Sequence, residues 1–235
     1  MMKQKLGLFF ITLMMPFLIQ AQSQQNLTSN KNFSNAKNQT VSAKAGTTVY
    51  LDAKGKVISA TLVSNANYGN AKNQTVAAKA STTINFYTNG TVRSACLVNN
   101  ANYGNGKNQT VAAKGGTIIH FYENGVVERA TLVNNANYGN GKNQTVAAKG
   151  GTEVHFYLSG IVKSATLVNN ANYGNGKKQT VTAKAGTVVE FFESGIVKSA
   201  ILSSNTNYSN TQNRSVNVKA GSRFVFNESG QVVSY

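Results

Sequence analysis

In the segment TEVHFY (152–157), Val154 and Phe156 alternate with Glu153, His155 and Tyr157, so apolar and variable side chains fall on opposite sides of an extended chain. Equivalent positions elsewhere, Val49/Leu51, Ile84/Phe86, Ile119/Phe121 and Val189/Phe191, are always apolar. Their alternating neighbours vary freely: Tyr50, Asn85, His120 and Glu190. One constrained face beside one free face predicts a half-buried strand. A short turn, ENG (123–125) or LSG (158–160), leads into VVERATL (126–132) or IVKSATL (161–167), a second strand marked by Val127 and Leu132. Asn-Gly between two such runs signals a hairpin. A third strand, QTVAAK (144–149), precedes the first across Gly150-Gly151, and VNNANYGNGKN (133–143) reads as an Asn/Gly-rich connection.

This pattern recurs every 35 residues from residue 32 without insertion or deletion. The aromatic series Phe33, Tyr68, Tyr103, Tyr138, Tyr173 and Tyr208 sets the register, and Gly55, Gly90, Gly125, Gly160, Gly195 and Gly230 follow it. NYGNGKNQTVAAKGGT occurs identically at 102–117 and 137–152, while the outer copies diverge as terminal caps should. The expected fold is all-β: an elongated array of six 35-residue units forming an antiparallel β-meander with three strands per unit. A β-solenoid is the alternative. Solenoid stacking would set equivalent lysines roughly 5 Å apart. A three-strand meander sets them roughly 14 Å apart, beyond a Debye length of about 8 Å. Asn65, Asn100, Asn135, Asn170 and Asn205, with the tyrosines, resemble solenoid ladders. In the meander, the apolar face cannot be left to water, so the sheet must curl or the NANYGN segments must fold over it, with Tyr68 and its equivalents as lids.

Lys3 and Lys5, the apolar run Leu6–Ile19 and the small residue Ala21 have the order of a secretory signal peptide. The expected division is a signal peptide at 1–21, an N-terminal linker at 22–31 and a six-unit β-repeat domain at 32–235. The apolar run is shorter than a membrane-spanning helix needs, so no transmembrane span is expected in the mature chain. The reading is a secreted, periplasmic or cell-surface protein of a bacterial envelope.

Of 235 residues, 23 are Lys or Arg and 7 are Asp or Glu, a formal net charge of +16 with only 13% charged residues. Apolar residues reach 41%, too many for a disordered polyelectrolyte. Two histidines and one cysteine leave no material for a disulfide framework or a zinc site. His120 and His155 occupy one repeat position, and Cys96 stands where other copies carry Thr61, Thr131 and Thr166. A catalytic constellation is unique, whereas the histidines share one repeat position and Cys96 replaces a repeated threonine. No enzyme activity, cofactor or metal is expected.

The lysines carry the functional reading. One series is Lys44, Lys79, Lys114, Lys149, Lys184 and Lys219; a second is Lys37, Lys72, Lys107, Lys142 and Lys177; Arg93, Lys163 and Lys198 make a looser third. Repetition turns them into basic stripes suited to multivalent attachment to an anionic polymer: acidic polysaccharide, lipopolysaccharide or extracellular DNA. The bland reading is solubility and protection of strand edges. The expected role is a structural or adhesive surface protein. One alternative is a carbohydrate-binding array with Tyr87, Tyr122 and Tyr157 as stacking platforms; another is an amyloid-type matrix subunit that self-associates through Asn/Gln-bearing strands. The NQT triplets at 73–75, 108–110 and 143–145 match the N-glycosylation sequon.

The segment GTIIHFYENGVVERATL (116–132) resembles MORN-variant repeats in Phe121, Tyr122, Asn124, Gly125 and Val127, as do Phe156, Tyr157, Gly160 and Val162 one unit on. The resemblance covers about half of each unit. The longer unit, the QTVAAK strand and the Asn-rich loop depart from the family pattern. The resemblance implies an extended hairpin array used for scaffolding or protein contact.

Overall fold

A computed structural model describes residues 23–235; the expected signal peptide lies outside them. The described chain is all-β, built of 25 short strands without a helix. In the unit around Tyr103 the strands are Ala101–Gly104, Thr110–Ala113, Ile118–Phe121 and Val127–Thr131. The last two join their counterparts in every unit in one 13-stranded antiparallel meander. The first two pair only with each other, so that six two-stranded hairpins lie in a second layer over the sheet. Every strand pairing is antiparallel, as the meander requires and a solenoid does not.

The meander differs from the expected one in its arithmetic. Thr145–Ala148, the core of QTVAAK, does not pair with Glu153–Phe156; it pairs with Ala136–Gly139, the middle of the apparent connection. Each unit therefore adds two strands to the sheet, not three. Equivalent lysines recur at about two strand spacings, roughly 9.6 Å, close to the Debye length rather than well beyond it. Strand structure also begins within the segment expected as a linker. Ser23–Asn26 forms the first strand of the sheet, paired with Thr48–Leu51.

The core lies between the layers. Phe121 and Ile119 from the sheet meet Tyr103, Val111 and Ala113 from the hairpin, all buried. The tyrosines are lids: Tyr138 packs edge-on against Phe156, ring centroids 4.9 Å apart at 83°, and its hydroxyl donates to the Thr110 carbonyl of the preceding unit at 3.4 Å. Val127 and Ala130 both point inward although three residues apart, because the register shifts between the pairs Phe121↔Val127 and His120↔Arg129. This bulge leaves Glu128 as the extra residue and turns it outward with Arg129. The same shift recurs in the other sheet hairpins.

One rim is closed by backbone bonds: Lys114 N donates to Thr131 O at 2.8 Å and Val133 N to Ala112 O at 2.9 Å, with Ala113 bridging Leu132. The opposite rim is closed by asparagine. Asn35, Asn70, Asn105, Asn140 and Asn175 are completely buried, and each donates from Nδ2 to a sheet-turn glycine carbonyl of the next unit. The Asn65 series does not form the solenoid ladder that it resembles. Asn100 Oδ1 instead accepts the backbone N–H of Gly115 within its own unit at 2.8 Å, as its equivalents do in theirs.

Candidate binding surfaces

The two lysine series occupy opposite rims. Lys44, Lys79, Lys114, Lys149, Lys184 and Lys219 sit where each lid hairpin crosses to the sheet, and all are exposed. Lys37, Lys72, Lys107, Lys142 and Lys177 sit on the tips of the lid hairpins beside the sheet turns; the first four are exposed and Lys177 is half-buried. Lys44 Nζ donates to Ser81 Oγ at 3.0 Å and Lys177 Nζ to Asn213 Oδ1 at 3.2 Å.

The layers differ completely in charge. All seven acids, Asp52, Glu123, Glu128, Glu153, Glu190, Glu193 and Glu228, lie in sheet strands or sheet turns. Seven cations share that layer: Lys54, Lys56, Arg93, Arg129, Lys163, Lys198 and Arg223. The lid segments hold the other 14 basic residues of 23–235 and no acid, so the entire net charge of the described chain resides in one layer. This partition could have been counted in the sequence, once the chain had been divided correctly into lid and sheet.

Between its lysine rims the lid layer shows solvent a row of small polar positions. Asn67, Asn102, Asn137 and Asn172 are exposed opposite Ala77, Ala112, Ala147 and Thr182. In the end hairpins the equivalent asparagines are engaged: Asn32 Oδ1 accepts from Ser42 Oγ at 2.6 Å, and Asn207 Oδ1 from Asn217 Nδ2 at 2.8 Å. The four inner carboxamides make no side-chain hydrogen bond among the described residues. A shallow groove of about 300 Å³ between successive hairpins brings Lys107 and Gln109 of one unit beside Asn137 and Gln144 of the next. The sequence reading passed over these asparagines as part of a loop. The sequon residues Asn73, Asn108 and Asn143 stand exposed at the hairpin tips with φ near +57°, the left-handed position of each turn.

Tyr87, Tyr122 and Tyr157 belong to the other face, at the ends of sheet strands. Each is half-buried and donates its hydroxyl to a carbonyl of the next unit: Phe121 at 2.7 Å, Phe156 at 2.8 Å and Phe191 at 2.9 Å. Their hydroxyl pKa values are raised, chiefly by burial. The bulge sets Arg93 over Tyr87, Lys163 over Tyr157 and Lys198 over Phe192, at 5.8, 5.7 and 5.9 Å from the ring centroids. Open grooves of about 450 Å³ beside Tyr87 and about 180 Å³ beside Tyr157 line this face. The tyrosines thus lie on the layer opposite the two lysine rims, while Arg93, Lys163 and Lys198 share the tyrosine face.

The sheet face also carries the histidines. Arg129 stands between them, donating to His120 Nε2 at 2.7 Å and to Glu153 Oε1 at 3.1 Å, while His155 Nε2 donates to Glu153 Oε2 at 2.7 Å. Burial, then the Arg129 charge, lowers the His120 pKa. Among the described residues no three His, Cys, Asp or Glu side chains converge as metal ligands. Cys96 is a buried free thiol. No helix of the described residues is long and apolar enough to cross a membrane. No protein-family model, curated protein or solved structure matches the chain.

Proposed function

We propose that the chain is an exported, non-enzymatic attachment protein whose lid layer binds an anionic polymer through many weak contacts. The carrying observation is the segregation of all net positive charge into the lid hairpins, where the two rims repeat their lysines at about one unit's spacing. Solubility alone requires no such segregation, since cations spread over both layers would serve equally. The scaffold role implied by the MORN-variant resemblance is compatible with this reading, because attachment through one layer leaves the other free for a protein contact. The test is binding to immobilised polygalacturonate at low and physiological salt, comparing the wild type with Lys72→Gln/Lys107→Gln/Lys142→Gln, three exposed tip lysines without side-chain hydrogen bonds. The variant should bind more weakly and lose part of the salt dependence, as fewer counterions are released. Unchanged affinity would remove this rim from the surface.

A second reading draws on the grooves beside Tyr87 and Tyr157, which suit a neutral sugar on the sheet face. Binding of a neutral glycan that persists at high salt and fails on Tyr157→Ala would favour it.

A further inference from the structure

Resting on the polyanion reading, we infer that the polymer is a linear acidic polysaccharide and that Asn67, Asn102, Asn137 and Asn172 form its hydroxyl-reading row. Each inner unit offers one free carboxamide, a donor and an acceptor together, on the outer lid face between the two lysine rims. The groove beside Asn137 joins that amide to Lys107 of the preceding unit, so one shallow cleft holds both a cation and a neutral hydrogen-bonding group. A polyuronate needs this combination, because every ring carries a carboxylate and several hydroxyls. A bare polyanion needs only the lysines.

Three further observations point the same way. The end hairpins use the same asparagine position internally, tied to Ser42 and Asn217, so the free amides are confined to the inner copies. The aromatics of the four inner lid hairpins, Tyr68, Tyr103, Tyr138 and Tyr173, are all buried beneath the strands, so the stretch of lid that carries the free amides offers no ring for nucleobases to stack on. The residues opposite the amides, Ala77, Ala112, Ala147 and Thr182, are small and leave room for a chain to lie across successive hairpins along the array.

The experiment compares the full chain with Asn67→Ala/Asn102→Ala/Asn137→Ala/Asn172→Ala at one salt concentration against three probes: polygalacturonate, inorganic polyphosphate and duplex DNA. The expected result is a loss of about tenfold or more on polygalacturonate, since several hydrogen bonds disappear together, with polyphosphate binding changed less than about twofold. The exposed sites should leave circular dichroism and melting unchanged. If the quadruple variant is poorly folded, Asn102→Ala/Asn137→Ala should show a smaller loss with the same selectivity. Equal losses on polygalacturonate and polyphosphate, no loss on either, or a matching loss on duplex DNA would overturn the inference. Wild type that binds polyphosphate but not polygalacturonate overturns this inference alone. Wild type that binds none of the three removes the polyanion reading with it.

Discussion

Asn105 and Gly160, 55 residues apart in the chain, meet at 3.1 Å across a unit boundary, side-chain Nδ2 to carbonyl oxygen. The same side chain organises its own turn: Oδ1 accepts the backbone N–H of Lys107 at 3.0 Å and of Gln109 at 2.9 Å, while Nδ2 also reaches Gln109 Oε1 at 3.0 Å. One buried amide therefore shapes a hairpin tip and docks it on the neighbouring unit. Every polar atom it carries is used.

Replacing it should be costly. Asn105→Ala leaves buried backbone groups on both sides of the boundary without partners, a loss of about 2–4 kcal/mol. Asn102→Ala, three residues away on the exposed face, should stay under about 0.5 kcal/mol. Chemical denaturation of both variants gives the comparison, and similar losses would remove the docking role assigned to Asn105.

Gly125 and Gly55 have equivalent turn positions and left-handed φ angles of +82° and +72°. A Cβ on Gly125 would lie 2.6 Å from Lys72 N of the preceding lid, whereas one on Gly55 meets nothing within 4 Å. Both alanine variants carry the left-handed penalty of about 1–2 kcal/mol. Gly125→Ala must in addition push the docked hairpin away. Its melting temperature should fall clearly further than that of Gly55→Ala; equal shifts would show that unit docking tolerates the methyl group.

Burial pushes the hydroxyls of Tyr103, Tyr138 and Tyr173 up to about 12, against 10.0 in an unfolded chain. Between these values the folded state holds protons that the unfolded state has released, so stability falls as pH rises. It should be flat in these groups below pH 10 and drop between 10 and 12. Denaturation midpoints across that range, with tyrosinate absorbance followed in parallel, provide the measurement. Early tyrosinate formation without loss of structure would contradict the buried lids.

Phe156 is fully buried and His155 is half-buried on the outer face. Phe156→Ala should cost about 3–5 kcal/mol. His155→Ala gives up an exposed contact with Glu153 and should cost under about 1 kcal/mol. Comparable losses would invert the inside–outside assignment of the sheet.

Much of the sheet was legible because its information is local. The alternation through Val154 and Phe156 and the turn at Asn124-Gly125 each lie within a few residues, and a fixed 35-residue period multiplies the signal. The lid was not, because Ala136–Gly139 contains Asn and Gly, poor strand formers, and only its pairing with Thr145–Ala148 makes it a strand. Assigning QTVAAK to the wrong layer then hid the partition of charge. The buried Asn105 series left a trace that was readable: a glutamine follows each asparagine four residues on, at Gln39, Gln74, Gln109, Gln144 and Gln179. Polar residues in an apparent loop gave no reason to expect complete burial.

Two sheet strands per unit also set a rule for how such a molecule can change. The identical stretches 102–117 and 137–152 invite unequal exchange at the level of the gene. A gained or lost copy keeps both end units and the docking geometry while altering length by about 9.6 Å. Each such event moves one lysine of each rim and one free amide together. Reach and grip are inherited in whole steps, so variants of different length would differ in avidity without any new contact having to evolve.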